Sequence, residues 1–319
     1  MKKKFDFEDI TLIPKYSVVE SRSECDVTTK FGGYKFKLPV VPANMESIID
    51  TSLAIKLFRE GYFYILHRFG TDVVEFVTTM KEMGLMTSIS IGVNEDSYTL
   101  IDELISKNLF PDFITIDIAH GHSIKMKKMV THLRKKMMNT FIIGGNVSTP
   151  EGVIDLEKWG CDSVKCGIGG GSACTTYHST GFGNRGWQAN MIKDCCEVAK
   201  KPIIADGSIK EHSDIVKSLV LGADMVMVGG MFAGYEESPG KLKQVDNVWY
   251  KTFWGSASSE QTGKNERVEG IKKLVPFKQE SIFVKLKSIE ESLQSAISYG
   301  GGNPSKLKSL LSVDYVIVK

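Results

Sequence analysis

The sequence is nearly without net charge: 40 Lys and Arg against 38 Asp and Glu leave only +2 over 319 residues. Such a balance supplies no broad electropositive face. Nucleic acid and anionic membranes are therefore not expected partners, and any group that binds a phosphate must act locally. Long apolar runs are missing as well. Stretches such as Phe63–Leu66 and Met225–Val228 have the length of strands, far short of the roughly 20 residues a bilayer-spanning helix needs. The start, Met-Lys-Lys-Lys-Phe-Asp-Phe-Glu-Asp, resembles the charged end of a secretory leader, but no apolar segment follows it. Six cysteines, at 25, 161, 166, 174, 195 and 196, form no C-x-x-C pair and no small-domain disulfide spacing. Adjacent Cys195 and Cys196 fall on a helical pattern and are expected as buried thiols. A reduced, cytoplasmic protein is the simplest account. His120 and His122 lack a third ligand at metal-like spacing, which argues against a metal centre there.

What is plentiful is apolar residues and glycine. With 42% hydrophobic and 24% charged residues, the chain can bury a large core as a globular protein. After a preamble over 5–38 with a Gly32-Gly33 turn, short β-rich runs alternate with stretches of helical period. The strand candidates are Val40–Val41, Phe63–Leu66, Thr87–Ile91, Phe113–Ile118, Thr140–Ile143, Ser163–Cys166, Ile203–Ala205 and Met225–Val228. Most are continuous apolar runs, as strands covered on both faces should be. Helix candidates fill the gaps: Thr51–Glu60, Val73–Met83, Tyr98–Lys107, Ser123–Lys136, Pro150–Trp159, Gln188–Ala199 and Ser213–Leu221. This alternation predicts βα units. Eight of them favour a closed (β/α)8 TIM barrel, an α/β fold, over a doubly wound open sheet. The segment 239–276 breaks the rhythm, being polar and rich in Gly, Ser, Lys and Glu. It is expected to be disordered or a mobile lid. A helix over 281–298 then closes the barrel, and no linker divides the chain, so one domain covering 1–319 is expected.

Barrel active sites form where strands end at their C-terminal side. Read in order, those positions hold Ala43-Asn44-Met45, His67-Arg68, Gly92, Asp117–His120, Gly144-Gly145-Asn146, Gly167–Cys174, Asp206-Gly207-Ser208 and Gly229-Gly230. The sharpest is the loop Gly167-Ile-Gly-Gly-Gly-Ser-Ala-Cys-Thr-Thr176. Its glycines let backbone groups approach a ligand closely. Cys174 beside Thr175 and Thr176 is a candidate nucleophile, whereas the other five cysteines fit packing positions or the N-terminal arm. The two late loops, Asp206-Gly207-Ser208 and Gly229-Gly230, suit a phosphate at backbone amides, with Asp206 able to accept from ribose hydroxyls. Asp117 ends an apolar strand and is either a ligand-binding acid or the partner of a cap or ion pair. In the lid, Glu266-Arg267-Val-Glu269-Gly270 offers an acid and a base.

Several of these runs together resemble the IMP dehydrogenase/GMP reductase family. Gly169-Gly-Gly-Ser-Ala-Cys-Thr-Thr176 is similar to its cysteine loop, G-x-G-S-x-C-x-T. Pro42–Met45, Asp117–Gly121, Gly145-Asn-Val, Ala205-Asp-Gly207, Met227–Gly234, Glu237–Gly240 and Tyr299 with its glycines match in order, so the resemblance spans the whole chain. Two features point to the reductase branch. There is no room for the CBS pair that IMP dehydrogenases usually insert, and no water-activating Arg-Tyr occurs in 239–276. Ser21-Arg-Ser-Glu24 and Val268-Glu269-Gly270 are also similar to that branch in its shorter bacterial form.

The resemblance implies NADPH-dependent reductive deamination of GMP to IMP and ammonia. Cys174 would attack purine C2 to give a thioimidate, with Thr176 and Glu269 relaying protons. Ser172, Gly207, Ser208, Gly229 and Gly230 would hold the phosphate and Asp206 the ribose. Met45, Gly255, Ser256, Ala257, Val268 and Gly270 would face the nucleotide. Ser21, Arg22, Arg68, Asp117, Ile118, Ala119, Ile168, Gly169, Arg267, Tyr299 and Gly300 would contact NADPH, some of them from a neighbouring subunit of a homotetramer. Backbone carbonyls of Gly169, Gly171 and Cys174 would suit a monovalent cation such as K+. Four positions depart from the family pattern: Gly170 stands where proline is common, Ser208 where glycine is, Glu266 where arginine is, and Cys166 where valine is usual, the last a conservative packing change. An IMP dehydrogenase without its insert, a non-catalytic purine-nucleotide barrel and a flavin-binding barrel are the rival readings.

Overall fold

A computed structural model describes residues 4–263, 266 and 268–318 of the chain. Seven strands make one parallel sheet in the order Val40–Pro42, Met225–Val228, Ile203–Asp206, Ser163–Cys166, Phe141–Val147, Phe113–Asp117 and Ser88–Ile91. The last of them in sequence pairs with the first, Val226 opposite Val40 and Met227 opposite Val41. A sheet whose first strand meets its last has curled round on itself, as a barrel does and an open doubly wound sheet does not.

The candidate strand Phe63–Leu66 falls short of the expectation. It joins the sheet through one parallel bridge, Leu66 to Ile89, with the Leu66 N–H donating to Ser88 O at 3.1 Å. Its four side chains are nonetheless fully buried. The apolar run reports burial, and burial does not require a full ladder. Conversely, the strand expected over Thr140–Ile143 runs on to Val147, through two glycines that carry little strand signal.

Helices follow the strands in turn, several with a side-chain N-cap: Asp50 on the Leu53 N–H, Asp72 on Glu75, Ser123 on Met126 and Thr149 on Gly152. The N-terminal hairpin, Thr29–Phe31 paired with Tyr34–Phe36, plugs the end of the barrel where the strands begin. Phe31 packs against Phe63 and Phe141 with ring centroids 5.2 Å apart in each case. Gly32 sits at φ +56°, and a Cβ there would meet the Phe113 ring at 2.2 Å. With that end filled by aromatic side chains, the opposite end is left for a site.

The polar segment 239–276 is not irregular. Leu242–Val245, Val248–Trp254 and Lys272–Pro276 form an antiparallel sheet. Asp246 and Asn247, both with positive φ, make the tight turn between its first two strands. That dipeptide is a hairpin signal, masked by the surrounding lysines. Ile10–Leu12 pairs with Tyr315–Ile317, tying the two ends of the chain together. Among the described residues no helix is long and apolar enough to cross a membrane.

Candidate active site

The loop that leaves strand Ser163–Cys166 is fixed by backbone contacts only glycine permits. Gly167 has φ +138°, and a Cβ on it would lie 1.7 Å from the Asp206 carbonyl oxygen. Its N–H donates to Val147 O at 2.8 Å. Gly167→Ala is therefore expected to destabilise the protein by roughly 3 kcal/mol, within the range of overpacked, strained positions. An unchanged thermal midpoint would contradict this. Downstream, Ile168 N–H donates to Asn184 Oδ1 at 2.7 Å, and Asn184 N–H returns a bond to Ile168 O at 2.8 Å.

At the loop's far end Cys174 Sγ lies 3.2 Å from Thr176 Oγ1, which donates to Glu269 Oε2 at 2.6 Å. Thiol, hydroxyl and carboxylate thus form one hydrogen-bonded chain. Glu269 comes from 93 residues away in sequence and is placed by its backbone. Thr175 N–H donates to Glu269 O at 2.8 Å, Glu269 N–H to Ala257 O at 3.0 Å, and Ile271 N–H to Ala173 O at 2.9 Å. Cys174 and Ser258 each bridge to Gly270. These approaches need small residues. A Cβ on Gly255 would stand 2.7 Å from Ala173 O, and one on Gly270 would stand 2.9 Å from Ser258 N. The segment carrying Gly255, Ser256, Ala257, Val268 and Gly270 thereby closes over the cysteine loop. Arg267 lies outside the described residues.

The late loops converge on the same place. Ser208 N–H and Oγ both donate to Gly170 O, at 2.9 and 3.3 Å. A Cβ on Gly170 would approach Ser208 Oγ to 2.9 Å, so the two departures from the family pattern sit against each other, and Ser208 occupies the space that residue 170 gives up. Ser208 takes φ +58°, a conformation glycine adopts more readily. Gly230's missing Cβ would lie 3.0 Å from Ser172 Oγ, and that of Gly229 would lie 3.9 Å from Met45 Sδ. Backbone without side chains therefore lines this side of the loop, the usual setting for an oxyanion.

The expected cofactor residues fall into two groups. Arg68, Asp117, Ile118 and Ala119 stand at strand ends near the cysteine loop, with Ile118 N–H donating to Gly145 O at 3.1 Å. Ser21, Arg22 and Tyr299 form a second cluster at the end of helix Ile282–Tyr299. There Arg22 Nη2 donates to Tyr299 Oη at 3.1 Å and its guanidinium lies 5.0 Å over the ring. Gly300 packs beside it, where a Cβ would strike Val313. The hydrogen bonds of this second group tie it to the N-terminal arm and the last helix and not to the cysteine loop.

Gly171 O accepts the Cys174 N–H at 2.9 Å, and Gly169 takes φ +75°. Among the described residues no group of three His, Cys, Asp or Glu side chains could hold a metal ion. A cation here would rest on neutral backbone oxygens. His122 instead pairs with Asp155 at 2.9 Å. Cys195 is buried and Cys196 partly so.

Several residues of the site stand outside the candidates that the sequence offers. Lys165, in the middle of the apolar run Ser-Val-Lys-Cys, has a side chain 3% exposed and bridges Asp117 Oδ1 at 2.7 Å and Asp206 Oδ2 at 3.0 Å. A charged residue inside a buried strand is the signal that could have found it. Asn146 Nδ2 donates to Asp206 Oδ2 and to Gly167 O, at 2.7 and 2.6 Å. Asn146 Oδ1 and Gln188 Oε1 are buried without a partner among the described residues, acceptors a ligand with hydroxyl or amide donors would satisfy. Lys273, from the overlying sheet, donates to Ser172 O at 3.2 Å.

Known proteins bear directly on this site. Residues 4–312 match the IMP dehydrogenase / GMP reductase domain family. The chain is 51% identical over 320 residues to a protein of Bacillus licheniformis named GMP reductase, covering all of this chain and 97% of that one. Proteins of the same name from Bacillus subtilis, 50% identical with 100% and 97% covered, and from Mesoplasma florum, 51% identical with 99% and 98% covered, match as fully.

Proposed function

Since this chain belongs to the IMP dehydrogenase / GMP reductase family, we propose that it is a GMP reductase, an oxidoreductase that converts GMP to IMP and ammonia with a nicotinamide cofactor, NADPH. The observation that carries this reading is the hydrogen-bonded chain from Cys174 through Thr176 to Glu269. The Cys174 thiol would pass its proton through Thr176 to Glu269, and the thiolate would add to purine C2, opening only the π bond of C2=N, whose electron pair moves to the ring nitrogen, and making C2 tetrahedral. Thr176 passes a proton from Glu269 to the 2-amino group, which leaves as ammonia and yields a thioimidate on Cys174. NADPH, when bound, supplies the hydride that reduces C2. The C–S bond then breaks, and Cys174 departs as thiolate, leaving IMP. Covalent attachment splits a hard displacement into two easier steps, and the acid protonates a poor leaving group. No Arg-Tyr pair of the kind that activates water in IMP dehydrogenases occurs in 239–276, which favours reduction of the thioimidate over its hydrolysis.

Ser172, Gly207, Ser208, Gly229 and Gly230 would hold the phosphate, with Lys273 adding positive charge beside them. Asp206 would hold the ribose. Asp117 with Arg68, Ile118, Ala119, Ile168 and Gly169 would receive the reacting half of NADPH. Ser21, Arg22, Tyr299 and Gly300 of a neighbouring copy would take its other half, an arrangement that calls for an oligomer, which the family resemblance suggests is a homotetramer. The carbonyls of Gly169, Gly171 and Cys174 would hold a K+-like ion, whose weak hydration neutral oxygens can replace. The whole chain would act as one catalytic barrel domain, in the cytoplasm.

Mixing purified protein with GMP and NADPH should give loss of NADPH absorbance matched by IMP and ammonia, while IMP with NAD+ gives no XMP. No GMP-dependent loss of NADPH would sink the reading, and XMP formation would favour an IMP dehydrogenase.

A further inference from the structure

Among the described residues, Lys165 is the buried cation that touches both Asp117 and Asp206 at the barrel mouth. Strand Ser163–Cys166 lies between strand Phe141–Val147 and strand Ile203–Asp206, and its lysine reaches out along the barrel interior. Gly145 makes room for the stem, since a Cβ there would stand 2.7 Å from Lys165 Cβ. Burial alone would discharge the ammonium, but Asp117 and Asp206 outweigh it and raise its pKa above the ordinary lysine value. The same contact, with Arg68 and Asn44 adding to it, overcomes the effect of burial on Asp117 and keeps its carboxyl below the usual range.

The division of oxygens is informative. Asp206 Oδ2 takes both Lys165 and Asn146, leaving Asp206 Oδ1 with no hydrogen bond among the described residues. Two donors on one oxygen fix the carboxylate's rotation and leave the other oxygen, on a side chain 23% exposed, to accept from a ligand. On Asp117, Lys165 sits on Oδ1. A single ammonium therefore orients two carboxylates.

We propose that Lys165 is a positioning residue shared by the nucleotide and dinucleotide sites, holding Asp206 for the ribose of GMP and Asp117 for the cofactor. This rests on the GMP reductase reading. An ion pair kept for stability alone would be replaceable by a well-packed apolar group. A shared positioning residue would not be, because both acceptors would lose their orientation.

Calorimetric titration with GMP alone and with NADP+ alone, on the full-length protein, tests this. Lys165→Met should weaken both ligands by at least about tenfold, the scale for removing one member of a buried, hydrogen-bonded charge pair. Asp206→Asn should weaken GMP more than NADP+, and Asp117→Asn should weaken NADP+ more than GMP, the smaller loss in each case being the coupling through the shared lysine. Loss of affinity for one ligand only, or for neither, in folded Lys165→Met overturns the shared role. If that variant does not fold, Lys165→Met/Asp117→Asn removes a carboxylate with the lysine. It should bind GMP at least about tenfold more weakly than Asp117→Asn alone, and equal GMP affinity in the two overturns the proposal. The parent reading fails separately, if the unaltered protein binds neither GMP nor NADP+.

Discussion

Replacing Cys174 by alanine is expected to lower kcat for GMP by about 10⁵-fold or more, the scale at which removal of a covalent nucleophile acts. GMP affinity should change by less than about threefold, since the groups proposed to hold the nucleotide, Ser172 apart, lie on other loops and the substitution removes none of them. No other thiol can substitute. Cys166 and Cys195 are fully buried, and the hydrogen bond between them, with burial adding to it, pushes the Cys166 thiol well up. Single-turnover kinetics beside a GMP titration would check both halves. Turnover near that of the unaltered enzyme would refute covalent catalysis.

The second large effect should separate two chemical steps. Glu269→Gln keeps an acceptor for the Thr176 hydroxyl, 2.6 Å away in the unaltered protein, but cannot give up and regain a proton. Deamination should slow by about 10³-fold, within the range for losing a general acid. Hydride exchange between IMP and the cofactor needs no departing amine and should slow by less than about tenfold on the same argument. Thr176→Val, which removes the hydroxyl between thiol and carboxylate, should show the same asymmetry. Equal losses in both reactions would count against the relay.

Much of the architecture was legible because each strand of a parallel barrel is buried on both faces, so its apolar run stands out against amphipathic neighbours. The cysteine loop was legible for a related reason: Gly167, Gly169, Gly170 and Gly171 mark a backbone that packs against other backbone. What sequence reading missed has physical causes too. Phe63–Leu66 has the composition of a strand but only one bridge, because composition follows burial and the ladder follows register. The pairing of Ile10–Leu12 with Tyr315–Ile317 spans the whole chain and leaves no local trace. The sheet over 242–276 was hidden by its polar exposed face, though the Asp246-Asn247 turn was in view. Lys165 was passed over because a single lysine in a short apolar run looks like an exposed interruption. Only with Asp117 and Asp206 brought beside it does it become the centre of a charge cluster.

The resemblance to a known family supplied roles that residue patterns alone left open, and the geometry gives those roles a physical basis. Asp117 is a case in point. From sequence it was either a ligand-binding acid or an ion-pair partner. It is paired with Lys165, and the pairing is what keeps it charged and directed.

The most direct test of the account is the covalent link itself. The protein would be mixed with GMP without NADPH, quenched in acid within the first turnover and digested, and its peptides examined by mass spectrometry. The account predicts a purine ribonucleotide, GMP less ammonia, attached to the peptide carrying Cys174 and absent from Cys174→Ala. Its abundance should fall sharply when NADPH is added before the quench. Full NADPH-dependent turnover with no such adduct, or an adduct on a different residue, would contradict it.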